Sequence, residues 1–369
     1  MTSAMPVRTF GVEEEFLLVD PESGAATPAV DAVVAAIPAQ HRPRACPEFL
    51  RSQLEVATAV HTDLAGLHDA LVDLRRAAGA AARAVGSRLL AVGTGIVDSP
   101  PPGVAHNPRY EAMVERFGAI ADTPGLCGCH VHVGVADREL AVQVCNHLRP
   151  WLPVLQALAA NSPFYVGRDT RYASFRSVLY ECWPSTGPTP YFASAADYDR
   201  VVAELITSGA MLDEAMVYWY ARPSAQYPTV EVRIGDVCPT AADATLLAAL
   251  VRALVATLLD DIAMGVPAPR SPDPLLRAAH WRAARDGLEG SSVDARSRAV
   301  RPCWDAVDEL VDRVGPALVA HGDLPAVRAG LRRLRTAGSG AARQRRAYAQ
   351  RGRIDDVVAM LAAATLDPA

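Results

Sequence analysis

The chain has 369 residues, half of them hydrophobic and 21% charged, with a formal net charge of −5. It reads as a globular chain with enough apolar material for a real core, and nothing in its charge suggests nucleic acid or an anionic membrane surface as a partner. No lysine occurs and all 36 basic residues are arginines, which excludes a Walker-A lysine, a Schiff-base lysine and a lysine general base.

Further expectations follow from what is missing. The N-terminal stretch has no apolar signal core, and no run of eighteen apolar residues is free of charge or proline. A secretory signal and a transmembrane helix are therefore not expected. Seven scattered cysteines, an odd number, fit reduced thiols in the cytosol better than a disulfide framework. The expected location is cytoplasmic.

In chain order, residues 7–20, which include "TFGVEEEFLLVD" (9–20), read as a strand with three glutamates inside an apolar run. Side chains alternate faces along a strand. Glu13 and Glu15 therefore share one face, and Glu14 points the other way, where it needs an arginine or solvent. In "FRSQLEVATAV" (49–59), Glu55 interrupts an apolar stretch. Residues 63–87 carry apolar side chains at helical spacing, with Asp63 as the expected N-cap. Residues 88–97, "RLLAVGTGIV", read as a short buried strand. Gly93 and Gly95 hint at a dinucleotide fingerprint, but Asp98 stands where its third glycine belongs, so that signal is weak.

"CGCHVHVGV" (127–135) is a further strand. Parity puts Cys127 and Cys129 on one face and His130 and His132 on the other, which argues against one zinc site built from all four. Alone, the pair could be one core and one exposed histidine. Residues 138–160 read as a helix kinked or split by Pro150 and Pro153. "NSPFYVGRDTRYASFRS" (161–177) reads as a polar, aromatic loop with Arg168, Arg171 and Arg176. "YWYARPS" (218–224) brings Trp219 and Arg222. Such loops suit carboxylates or phosphates held by bidentate arginines.

"PTVEVRIGDV" (228–237) is a strand with Glu231 and Arg233 on one face, a pattern that a simple ion pair would also explain. Residues 241–263 form an apolar helix after Thr240, with Asp243 completing a capping-box-like start. Residues 264–300 read as a long excursion. The tail from 304 reads as helices with an Arg-dense piece at 343–353, expected to be a solvated face. Strands far apart in sequence and separated by helices suggest one α+β domain over 1–369, with an Arg-rich helical part at about 304–369.

Taken together, Glu13, Glu15, Glu55, His130, His132 and Glu231 describe a site for two or more hard divalent cations on one sheet face. Such ions can bridge nucleotide phosphates, with Arg233 supplying fixed positive charge. The same donors would also suit a dinuclear metal-dependent hydrolase, or a non-catalytic scaffold on a retained fold.

Six segments, "FGVEEEFLLVD", "FRSQLEVAT", "CGCHVHVGV", "NSPFYVGRDTRYASFRS", "YWYARPS" and "PTVEVRIGDVC", together resemble the glutamate–cysteine ligase type 2 family of carboxylate-amine ligases. The resemblance runs in order over nearly the whole chain. It implies the glutamine synthetase-like fold, a curved, mostly antiparallel sheet with helices on its outer face. It implies ATP and Mg²⁺, with Mn²⁺ as a substitute, and L-glutamate activated as a γ-glutamyl phosphate. L-cysteine or another amine then attacks to give the γ-glutamyl amide, ADP and phosphate.

By the same resemblance, Glu13, Glu15, Glu55, His130 and Glu231 bind metal, and Glu231 and Arg233 act in catalysis. Arg233, His132 and Arg176 contact the nucleotide, and Arg176, Arg222 and Trp219 contact substrate. The implied partners are small molecules, with a homodimer as a further expectation and no nucleic acid or membrane.

Overall fold

The computed structural model describes residues 7–123 and 125–368. The chain lays down β1 (Phe10–Val19), α1 (Val30–Ala36), β2 (Ala45–Pro47), β3 (Gln53–Ala57), α2 (Leu64–Ala84), β4 (Arg88–Leu90), α3 (Pro108–Phe117) and β5 (Gly128–Gly134). It continues through α4 (Arg138–Leu148), α5 (Leu152–Leu158), β6 (Phe164–Tyr165), β7 (Arg168–Asp169), α6 (Phe175–Tyr180), α7 (Ala195–Thr207), β8 (Ala221–Pro223) and β9 (Thr229–Asp236). The last third is α8 (Ala241–Ala263), α9 (Asp273–Asp286), β10 (Ser291–Val293), β11 (Val300–Pro302), α10 (Cys303–His321), α11 (Leu324–Ala337), α12 (Gly340–Arg351) and α13 (Ile354–Thr365).

The main sheet runs β2-β3-β1-β5-β9-β8, with β4 beside the second half of β1. It is open and its pairings are antiparallel. One face packs on α4, α5 and α8, and α2, α10 and α11 pack on α8 in turn. The apolar parity of the strands decides this: Val12, Val131, Val133, Val230, Val232 and Ile234 all enter one core with these helices. A second core lies under the far end of β1, between β4, α1, α2 and α13. The mixed helical and antiparallel architecture is the one the resemblance implied.

Local chemistry explains the boundaries. Asp63 caps α2 by accepting the Gly66 amide at 2.7 Å. Pro153 sits in the first turn of α5, and the α4–α5 break falls at residues 149–151. Thr240 caps α8 through the Asp243 amide at 3.1 Å. The Asp243 side chain does not close the capping box. It turns to Arg333 and Arg343, at 3.0 and 2.8 Å. α8 has the length and apolarity to cross a membrane, but 89% of its apolar window is buried in the protein, so it is a core helix.

Other expectations change as well, and the 161–177 segment read as a loop holds β6, β7 and the start of α6. Only 88–90 of the segment 88–97 pairs as a strand; the rest is a buried loop. The 264–300 excursion contains α9 and most of the β10–β11 hairpin. The Arg-dense 343–353 piece is a solvated face only in part: Arg346, Arg351 and Arg353 are exposed, whereas Arg343 holds Asp243 and Arg345 reaches Asp169 at 2.8 Å. Composition alone could not separate a solvated arginine from one docked on a distant acid.

Candidate active site

Glu13 and Glu15 leave the same face of β1. The register sets Glu13 opposite His130 and Glu15 opposite Glu55. His132 stands opposite Glu231, and Arg222 faces Glu231 from β8. Period-two alternation thus makes one row of acids, imidazoles and arginines across five strands. A bulge between Cys129 and Val131 shifts β5 against β9. His130 keeps its place in the row. Its Nδ1 lies 3.5 Å from Glu13 and 3.9 Å from Glu231, and its Nε2 lies 3.7 Å from Glu15.

The remaining contacts fix individual side chains. His132 Nε2 lies 3.4 Å from Glu13, and its Nδ1 is 2.9 Å from the Thr229 hydroxyl. The Gly128 amide donates to Glu15 Oε2 at 2.5 Å. Glu231 accepts from Arg222 Nε at 2.8 Å and from Arg233 Nη1 at 3.1 Å. Arg233 lies over the Tyr218 ring at 5.2 Å, and Arg176 over the Tyr180 ring at 5.1 Å.

The electrostatics are unbalanced along the row. Burial raises the Glu231 carboxyl, but Arg222 and Arg233 overcome this and hold it at about 2. Burial likewise opposes charge on Glu13, yet His130 and His132 keep it well below the usual carboxylate range. Towards β2 the sign reverses. Burial, and then the Glu15 charge, push Glu48 up to about 8. Burial, and then Glu48, Glu13 and Glu15, push Glu55 well above its ordinary value. This end therefore has more carboxyls than its cations balance.

Such an oxygen-rich set with imidazole beside it fits a hard divalent cation such as Mg²⁺ or Mn²⁺, whose charge would relieve the repulsion. Among the described residues, no three His, Cys, Asp or Glu side chains are already gathered as a finished metal cluster. The donors form a row, paired with histidines and arginines.

Two pockets meet this row. A cleft of about 620 Å³ has Glu15, Glu48, Arg176 and Arg233 at one end and Phe49, Tyr110, Trp183 and Tyr218 along its wall. Arg109 of α3 also lines it and is held by Asp213 through bonds of 2.6 and 2.9 Å. A second pocket of about 820 Å³ opens beside Glu13 and His132, with Phe10 and Tyr227 in its lining.

Glu13, Glu15, Glu55, His130, His132, Glu231, Arg233 and Arg176 come together as a set. Arg222 stands behind Glu231, its Nη1 also committed to the Ala215 and Val217 carbonyls at 3.0 and 2.7 Å. Trp219 does not reach the cleft. It packs in the core against Phe192 and Tyr198, with ring centroids 5.1 and 5.4 Å away. Its neighbour Tyr218 lines the cleft instead.

Glu14 leaves the opposite face and meets Arg75 of α2 in a buried bidentate pair at 2.8 and 2.5 Å. Sequence reasoning missed Glu48, Tyr180, Tyr218 and Arg109. Glu48 enters through strand pairing: Cys46 pairs opposite Glu55, and a period of two from Cys46 leads to Glu48. The other three are carried by helices and loops whose docking no local pattern fixes.

Comparison with known proteins finds relatives along nearly the whole chain. The glutamate–cysteine ligase family 2 (GCS2) profile matches residues 9–360. A relative from Salinispora arenicola, under the provisional name glutamate–cysteine ligase 2, is 56% identical over 338 residues, which is 92% of this chain and 89% of the relative. A relative from Nocardia farcinica, under the provisional name glutamate–cysteine ligase 2-1, is 50% identical over 98% of this chain and 94% of its own length.

Among solved structures, a bifunctional glutathione synthetase from Pasteurella multocida matches with TM-score 0.71 at 16% identity. The match covers 97% of this chain and 52% of that one, so this chain spans about half its length. A glutamate–cysteine ligase from Francisella tularensis, solved in complex with AMP, matches with TM-score 0.68 at 15% identity, covering 97% and 88%. At such identities the likeness is one of fold.

Proposed function

The chain belongs to glutamate–cysteine ligase family 2, and from that premise we propose that it is an ATP- and Mg²⁺-dependent ligase joining the γ-carboxylate of L-glutamate to the amine of L-cysteine. In this reaction a γ-carboxylate oxygen attacks the γ-phosphorus of ATP and ADP leaves. The amine nitrogen attacks the acyl carbon of the γ-glutamyl phosphate. Phosphate leaves, and the nitrogen gives up a proton. The observation that carries the reading is the single row of Glu13, Glu15, Glu55, His130 and Glu231, flanked by Arg176 and Arg233 and open to a pocket on each side.

Each residue has a role in this reading. Glu13, Glu15, Glu48, Glu55, His130 and Glu231 would hold the cations. Divalent cations supply charge neutralisation on phosphate oxygens during phosphoryl transfer. Arg233, tied to Glu231 and stacked on Tyr218, presents fixed positive charge to the transferred group. Arg176 does the same from α6. The Gly128 amide orients Glu15, and Arg222 orients Glu231. The aromatic wall of the cleft lined by Phe49, Tyr110, Trp183 and Tyr218 excludes water from the acyl phosphate and suits an acceptor with a compact apolar or thiol group.

The test is incubation with ATP, Mg²⁺, L-glutamate and a panel of amines, read by ADP release and product mass. The expected result is amine-dependent ADP release, largest with cysteine. Release with another amine alone replaces the acceptor and keeps the ligase. No amine-dependent release with any amine overturns the proposal, and turnover without nucleotide would favour the hydrolase.

A further inference from the structure

Pieces from four distant parts of the sequence meet behind Arg176. Asp236, at the end of β9, is buried. Its Oδ2 accepts the Ser162 hydroxyl at 2.7 Å and the Asn161 amide at 2.8 Å, and its Oδ1 accepts the Ser174 hydroxyl at 2.8 Å. Ser174 is the N-cap of α6. Ser162 Oγ in turn accepts the backbone N–H of Arg176 at 3.0 Å. One carboxylate therefore grips the first turn of α6 from both sides, at the turn that carries Arg176.

The Arg176 side chain answers to the same group. Its Nη1 lies 4.0 Å from Asp236 Oδ1 and donates to the Ile234 carbonyl at 3.3 Å. Asn161 is itself locked: its side-chain amide donates to the Ala91 and Val237 carbonyls, each at 2.9 Å. From α12, Gln344 Nε2 donates to the Asn161 carbonyl and side-chain oxygens at 2.9 and 2.8 Å.

Two glycines are cleared for this arrangement. A Cβ on Gly93 would stand 2.9 Å from Asp236 Cγ, and one on Gly128 would overlap Arg176 Nη2. Gly93 of "AVGTG", which hints at a dinucleotide turn in the sequence, thus makes room for a carboxylate. A long arginine has many rotamers, and a buried guanidinium used in recognition must be fixed in one of them by the groups around it.

We infer that Asp236 is the positioning residue for Arg176. It sets both the helix turn and the guanidinium, with Ser162 and Ser174 as its relays and Gln344 bracing the network from the C-terminal helices. The use made of Arg176 rests on the ligase reading above; the positioning itself does not.

The test is Asp236→Asn, which keeps the shape but turns an NH₂ group towards groups that donate. Its crystal structure is expected to show the Arg176 guanidinium displaced from the Ile234 carbonyl. In ligase turnover, kcat/KM is expected to fall by about 10–100-fold. In an Arg176→Gln background the same change should lose less than about 3-fold, since pairs acting through one another are non-additive.

An unmoved Arg176, or an equal loss in both backgrounds, overturns the inference and leaves the ligase reading standing. If the wild-type chain shows no ligase turnover, that reading falls and the crystal structure alone decides the positioning. Ser174→Ala is the milder variant should Asp236→Asn fail to fold. It must show the same direction and the same dependence on Arg176.

Discussion

At the scale of single residues, three consecutive glutamates have two different fates. Glu13 and Glu15 face the acid row, whereas Glu14 is buried against Arg75. Removing one partner of a buried ion pair leaves an uncompensated charge, at about 3–5 kcal/mol. Glu14→Ala should therefore lower the unfolding free energy by about that much in denaturant titration. Glu13→Gln and Glu15→Gln should unfold nearly as the parent does yet lose about 100-fold or more in turnover, the scale of removing a preorganised charge partner. Equal losses of turnover for all three would defeat the parity argument. Trp219 and Tyr218 divide in the same way. Trp219→Leu should cost about 2 kcal/mol or more of stability while leaving the kinetic constants intact. Tyr218→Leu should lower kcat/KM, because its ring backs Arg233.

At the scale of elements, α9 offers a test of how the helices dock. His280 is buried on that helix, its ring 4.5 Å from Tyr220 and its Nδ1 2.7 Å from Gln156 Oε1. The Gln156 oxygen can only accept, so Nδ1 carries the proton in the neutral ring. Burial, and then Arg277, push its pKa down from 6.5 to about 3. This is a base depressed by folding, so below pH 6.5 the unfolded chain binds the extra proton and the folded chain does not. Stability should fall as pH drops from 6.5 towards about 3, at up to about 1.4 kcal/mol per pH unit. His280→Gln should flatten that part of the stability–pH curve. An unchanged slope in urea titrations at pH 6.5, 5.5 and 4.5 would rule this out.

At the scale of the whole molecule, the C-terminal helices are bound into the same core as the sheet. α10 and α11 pack on α8, α13 packs on β4, and Asp243 at the start of α8 is clamped by Arg333 and Arg343. The expectation of one domain over 1–369 becomes a measurable statement. Urea unfolding should give one transition, with tryptophan fluorescence and far-ultraviolet circular dichroism coinciding. A separate early transition from the Arg-rich part at about 304–369 would mean two units. Asp243→Asn should shift the single midpoint downward without splitting it.

Much of the site was legible in the sequence because parity is a local property. Alternation along "GVEEEF", "CHVHVG" and "VEVRIG" pairs Glu13 with Glu15, His130 with His132 and Glu231 with Arg233, each pair on one face of its own strand, before any partner strand is known. The caps at Asp63 and Thr240 and the proline break before α5 are equally local. What the sequence could not decide is which strands lie side by side and where the helices dock. Those outcomes depend on packing between segments tens to hundreds of residues apart. Only the tertiary structure gave Glu14 its arginine, added Glu48 to the row and turned Trp219 into the core. Only it brought Asn161, Ser174, Asp236 and Gln344 together behind Arg176. The sequence by itself determined which side chains could act together; long-range packing decided which of them do.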